Sequence, residues 1–259
     1  MKRFNTYFRL TVFALVFLPI IESCEKQKAD SPPANPEGKL ELLSHFDLDI
    51  TEPSGLSFGK TNATLLIVSD NTNQVYETDL QGEIIRELPY VGNDLEGVAY
   101  NPDENQIAVT EERKREVVFL DYENGNEQAR FKINVDEGVD NAGLEGISYN
   151  KNNQAFYMVN EMLPGELIVW NTQFDIISSS SINFADDYSA IFVDTENALL
   201  WIVSDQSRTM YQTDYNAKVL KEYPLDRTKF EGITIDVDNK LLYLVNDATF
   251  ELSIYKILN

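Results

Sequence analysis

Asp94-Leu-Glu-Gly-Val-Ala-Tyr100 is the stretch on which the fold turns, because near copies of it recur in register along the chain. The copies are EPSGLSF from Glu52, GLEGISY from Gly143, DYSAIFV from Asp187 and KFEGITI from Lys229. Each is followed by a second apolar run ending in an acid: LLIVSD to Asp70, QIAVTE to Glu111, FYMVNE to Glu161, LWIVSD to Asp205 and LYLVND to Asp247. The third motif position, occupied by Ser54, Glu96, Glu145, Ser189 and Glu231, stands 16, 15, 16, 16 and 16 residues before that acid. A unit repeated every 42 to 49 residues signals a repeat architecture.

The runs are four to six residues long, rich in Val, Ile, Leu, Tyr and Phe, and separated by Asn, Asp, Gly or Lys clusters. That is strand chemistry, with no sustained helical period after residue 38. Two further strands complete each of the first four units, so the expected fold is an all-β, five-bladed β-propeller of four-stranded antiparallel blades. The fifth unit ends with SIYKIL at Leu258, one strand short. Residues 39–50, KLELLSHFDLDI, alternate apolar and polar and supply the missing outer strand, closing the ring and leaving no open blade.

With 43 Asp and Glu against 21 Lys and Arg, the 259 residues carry a formal net charge of −22. Phosphate binding needs surplus cations, so nucleic acid is excluded as a partner. The single cysteine and single histidine exclude a disulfide framework and Cys/His zinc sites. His45 falls on the polar side of the closing strand, and neither GxSxG nor a Gly-rich phosphate loop occurs, which argues against serine-nucleophile chemistry.

At the N-terminus, Lys2, Arg3 and Arg9 precede an apolar run from Leu10 to Ile21, too short for a mature bilayer span, and Ser23-Cys24 follows. This resembles a bacterial lipoprotein signal over residues 1–23, which would place a lipid on Cys24; an ordinary secretory signal or an uncleaved anchor are the alternatives. Residues 24–38 are polar with three prolines and read as a flexible tether, leaving 39–259 as the propeller domain. The expected address is the cell envelope, lipid-anchored at the outer membrane with a periplasmic or surface face, and the expected state is a monomer.

In an antiparallel hairpin the start of one strand and the end of the next share an end. Ser54, Glu96, Glu145, Ser189 and Glu231 are therefore expected around the mouth of the central channel. Asp70, Glu111, Glu161, Asp205 and Asp247 are expected as a wider ring on the same face, with Arg208 and Arg113 to Arg115 in the adjoining loops. The glutamates would either bond neighbouring blades together or hold a cation. Oxygen-only donors suit calcium, and near-millimolar calcium outside the cytoplasm would fill even a weak site.

The LEG, LEG and FEG segments, TEERKREVVFLDY at Thr110–Tyr122 and VSDQSR at Val203–Arg208 resemble the SdiA-regulated family of bacterial envelope proteins, distantly related to NHL-repeat propellers. The resemblance covers residues 39–259 and implies a five-bladed propeller with bound calcium. By position it makes Glu96, Glu145 and Glu231 the leading metal candidates, with Glu161 and Glu111 next. The expected function is a calcium-binding recognition module for a small-molecule, glycan or protein ligand. The alternative is a calcium-dependent hydrolase resembling gluconolactonase-type lactonases or propeller phytases, using metal-activated water with Glu111, Glu161 or Asp205 as base.

Overall fold

A computed structural model describes residues 35–133, 143–161, 165–173 and 175–258. The leader, Cys24 and the tether as far as residue 34 lie outside the described residues. Twenty strands form five four-stranded antiparallel sheets. β1 (Lys39–Asp47) belongs to the last of them. The first blade is β2 (Pro53–Phe58), β3 (Thr64–Ser69), β4 (Gln74–Asp79) and β5 (Ile84–Val91). The second is β6 (Leu95–Asn101), β7 (Gln106–Glu111), β8 (Glu116–Asp121) and β9 (Glu127–Lys132). The third is β10 (Leu144–Asn150), β11 (Ala155–Asn160), β12 (Gly165–Asn171) and β13 (Ile176–Ile182). The fourth is β14 (Ala190–Asp194), β15 (Leu199–Ser204), β16 (Thr209–Thr213) and β17 (Val219–Pro224). In the fifth, β18 (Phe230–Asp236), β19 (Leu241–Asn246) and β20 (Glu251–Leu258) pair in order, and β1 pairs with β20 from Lys39↔Leu258 to Asp47↔Glu251.

Closure by the N-terminal strand is thus as the alternation in KLELLSHFDLDI predicts. β1 is an outer strand and half exposed, while Leu48 and Ile50 just beyond it are buried between the fifth blade and the first. The chain upstream is held as well: Glu37 bridges Glu222 of β17 in parallel, and Gly38 N–H donates to the Glu222 carbonyl at 2.7 Å. Asn35 Nδ2 adds a bond of 2.8 Å to Glu222 Oε1. The last four residues read as tether therefore lie along the edge of the fourth blade.

The fourth motif position explains itself in three dimensions. A Cβ on Gly97 would stand 2.3 Å from the Glu145 carbonyl oxygen on the next inner strand, and one on Gly55 would stand 2.5 Å from that of Glu96. Five inner strands converge so closely that only a small residue fits there. The fourth blade, with Ala190, is the variant. Below this level Leu56, Val98, Ile147, Ile191 and Ile233 close the axis, leaving about 10 Å³, room for one water at most.

Between blades the side chains mesh into separate apolar cores. Phe119 of β8 meets Phe156 of β11 and Trp170 of β12 at ring separations of 5.4 and 5.9 Å. Trp201 of β15 packs on Tyr223 at 5.3 Å in the core that joins the fourth and fifth blades. Both tryptophans are therefore inter-blade packing, each ring pair adding about 0.5–1.5 kcal/mol beyond simple burial.

Candidate metal centre

The site arises where inner strands begin and second strands end. In four blades the backbone N–H after the second strand donates to the residue that opens the inner strand: Asp70 to Glu52 (3.1 Å), Glu112 to Asp94 (2.9 Å), Glu161 to Gly143 (3.1 Å) and Asp247 to Lys229 (2.9 Å). In the fourth blade the Asp187 carboxylate fills this role, accepting from Gln206 N–H at 3.0 Å. Glu52, Asp94 and Lys229 adopt positive φ of 46°, 62° and 66° to make the contact, a conformation uncommon for residues other than glycine.

The clamp corrects the expectation for the second blade. The acid in register with Asp70, Glu161, Asp205 and Asp247 is Glu112, whereas Glu111 is the last residue of β7 and aligns with Ser69, Asn160, Ser204 and Asn246. Successive strand residues face opposite sides. The Glu111 carboxylate accordingly turns away from the axis and is held by Tyr90 Oη (2.6 Å), Lys114 Nζ (2.6 Å) and Arg130 (2.8 Å). Burial opposes its ionisation, but those three donors bring its pKa below the ordinary glutamate value. The odd spacing of 15 was the signal in the sequence.

All of the clamped residues but Asp94 and Gly143 line a cup of about 430 Å³ containing ten carboxylates and one ammonium among the described residues. Glu96, Glu145 and Glu231 come together in it with Glu161, Asp70, Asp205, Asp247 and Ser189, as expected. Ser54 does not: it is buried, and its hydroxyl donates to the Leu95 carbonyl of the next blade at 2.6 Å. Ser189 makes the equivalent bond to Phe230 at 3.0 Å, and Thr110 Oγ1 donates to the Glu145 carbonyl at 3.0 Å. Hydroxyls, then, join the inner strands at this level. Arg208 is exposed and closes the loop between β15 and β16 at φ 48°, outside the cup lining. Glu112 and Asp187, which lie in sequence beside the expected acids of this face, also line the cup, and so do Glu52 and Lys229, which were not among the expected residues.

Two carboxylate trios stand out. Asp70, Asp94 and Glu96 can each place one oxygen within 4.8 Å of the others, and so can Glu112, Glu145 and Glu161. Two full charges at that separation repel by about 3 kcal/mol at an effective dielectric near 20. Protons are held correspondingly tightly. Burial, then the charges of Glu96, Glu112, Glu161 and Glu231, raises Glu145 well above the ordinary glutamate value. Burial, then Asp70, Glu231 and other neighbours, does the same to Glu96. Glu112 is pushed up to about 7 by burial and by Asp94, against a hydrogen bond from Gly143 N–H. Burial and Asp94 take Asp70 to about 6, and burial and Asp247 take Glu231 to about 7. So many raised carboxyls mark an environment that favours added positive charge.

The fit to a hard cation rests on donor chemistry. Every donor in both trios is a carboxylate oxygen, drawn from two adjoining blades in each case, with no imidazole or thiol among them. The trios differ in neutralisation. Arg113 Nε pairs with Asp94 at 2.8 Å, whereas Glu112, Glu145 and Glu161 have no ion pair with any described residue.

Comparison with known proteins agrees with this architecture. The glutaminyl cyclase of Myxococcus xanthus superposes with a TM-score of 0.68 at 10% identity, over 87% of this chain and 100% of that one. A catalytically inactive virginiamycin B lyase from Staphylococcus aureus, solved with quinupristin, gives 0.51 at 19% identity over 80% of this chain and 66% of that one. A streptogramin B lyase gives 0.51 at 18% identity, over 85% and 74%. Identities this low speak for the fold alone. The sequence profile of the SdiA-regulated family matches residues 45–250, which hold β2 to β19 and every residue lining the acidic cup, and the chain belongs to that family.

Proposed function

We propose that this protein is a calcium-dependent recognition propeller held at the cell envelope by a lipid on Cys24. The observation that carries the reading is the Glu112–Glu145–Glu161 trio, three carboxylates whose oxygens can lie within 4.8 Å of one another and which form no ion pair among the described residues. Glu112 and Glu161 would hold the ion from the wall and Glu145 from the floor, since the first two follow second strands and the third lies on an inner strand. Calcium would supply charge neutralisation and coordination positions open to an oxygen-bearing ligand. The chain's own part is to hold the three carboxylates in register, through the clamp bonds of Glu112 to Asp94 and of Glu161 to Gly143. The apolar constriction beneath leaves only about 10 Å³ on the axis.

Thermal denaturation of metal-stripped protein tests this directly. Calcium at 100 times its Kd stabilises by about 2.7 kcal/mol. For a domain of this size that corresponds to a Tm rise of about 5–10 °C. Glu145→Gln should blunt the rise, and an unchanged melt up to millimolar calcium refutes the reading. Replacing Cys24 by Ala should move the protein from the membrane to the soluble fraction, and retention in the membrane refutes the lipid anchor.

A hydrolytic role finds its one support in Glu112, whose carboxyl titrates near 7 and so suits general acid or base work. Against phosphate esters, the cation of the cup, Lys229, already serves three carboxylates. Screening calcium-loaded protein against lactone, phosphomonoester and glycoside panels separates the roles: turnover lost in Glu112→Gln would establish the enzyme, and none is expected.

A further inference from the structure

We infer that Lys229 is a built-in cation that confines the cup to a single divalent ion on its second- and third-blade side; the inference rests on the calcium reading above. Lys229 Nζ lies 3.0 Å from Glu231 Oε1, 3.7 Å from Asp205 Oδ2 and 3.9 Å from Asp247 Oδ2. These three acids belong to the fourth and fifth blades, and neither carboxylate trio includes any of them. The ammonium thus occupies the place among the fourth- and fifth-blade acids that a metal ion would take. Its seat is prepared by the backbone. Lys229 sits at φ 66°, its N–H bonded to the Asp205 carboxylate and its carbonyl accepting from Asp247 N–H.

The five inner strands make the asymmetry plain. At the position of Lys229 the third blade has Gly143, where a Cβ would stand 2.7 Å from Glu112 Cγ. Lack of a side chain on one side of the ring lets Glu112 lie beside Glu145 and Glu161. A lysine on the other side fills the corresponding space and offsets part of its negative charge. One motif position therefore assigns the two halves of the cup to different cations.

Isothermal titration of metal-stripped protein with calcium chloride tests the assignment in wild type, Lys229→Gln and Lys229→Arg, each checked for folding by circular dichroism. Wild type and Lys229→Arg should take up one ion. Lys229→Gln should take up a second, or bind the first at least threefold more tightly. One ion bound with less than a threefold gain in the Gln variant overturns the inference, as does an equal gain in Lys229→Arg, which keeps the charge. Should Lys229→Gln fail to fold, equal calcium affinity in Lys229→Arg and Lys229→Met overturns it instead. A wild type that binds no calcium refutes the calcium reading itself and is distinct from these results.

Discussion

Replacing Glu112 by Gln should stabilise the metal-free protein while weakening its response to calcium. Glu112 is 5% exposed, and its carboxyl is pushed up to about 7 from an ordinary 4.5. At about 1.4 kcal/mol per pKa unit, ionising it in the folded state at pH 8 costs roughly 3 kcal/mol relative to the unfolded chain. Water in the cup and relaxation toward Asp94 reduce this, so a gain of about 1–2 kcal/mol is expected, or roughly 3–6 °C in Tm. Gln keeps the oxygen that accepts Gly143 N–H at 3.1 Å, so Gly143 keeps its hydrogen bond. The sign follows from proton uptake. Between pH 4.5 and 7 the folded protein binds more protons than the unfolded chain, so the wild type loses stability as pH rises through that window. The variant lacks that loss. Melts in chelator at pH 5 and pH 8 should therefore show near-equal stability at the lower pH and a more stable variant at the higher. With saturating calcium the order should reverse at pH 8. A variant less stable than wild type at pH 8 without metal would show that Glu112 is held by favourable contacts, and the electrostatic account of the cup would fail.

Gly97→Ala should cost about 2 kcal/mol or more, read as a lower urea midpoint, since the new Cβ would meet the Glu145 carbonyl at 2.3 Å. An unchanged midpoint would mean that the inner strands can spread. Deleting residues 39–50 removes β1 along with buried Leu48 and Ile50, and should abolish the cooperative melt followed by circular dichroism. A sharp transition in that truncation would disprove closure. Arg130→Ala should destabilise by about 1.5–3 kcal/mol, because it removes one of the two ion pairs, with Arg130 and Lys114, that hold buried Glu111. Adding Glu111→Gln should restore most of the loss; no recovery would show that Arg130 acts through packing rather than charge.

Much of the molecule was legible because each blade must solve the same problem with the same means. The LEG glycine recurs because five inner strands converge at one radius, and the strand pattern recurs because each blade lies between two others. Local alternation also revealed Lys39–Ile50 as a strand in need of a partner. The site was legible down to the rings of acids and no further. Glu111 and Glu112 are adjacent acids at a strand end, and a slip of one residue exchanges the channel face for the opposite one. Ser54 and Glu96 share a motif position, yet the short side chain bonds to the neighbouring strand and the long one reaches the axis.

Sequence alone determined the number of blades, the closing strand and the gathering of carboxylates at one end, since all three follow from a repeat read in strand register. Tertiary structure alone decided which carboxylates are already neutralised. Arg113 and Lys229 look like ordinary loop and turn residues along the chain; Arg113 meets Asp94 where the second blade folds back on itself, and Lys229 meets Asp205 because the ring sets the fourth blade beside the fifth. Charges interact through space with the inverse of distance. Glu112, Glu145 and Glu161 become a candidate centre only when the ring brings them together and places the cations elsewhere.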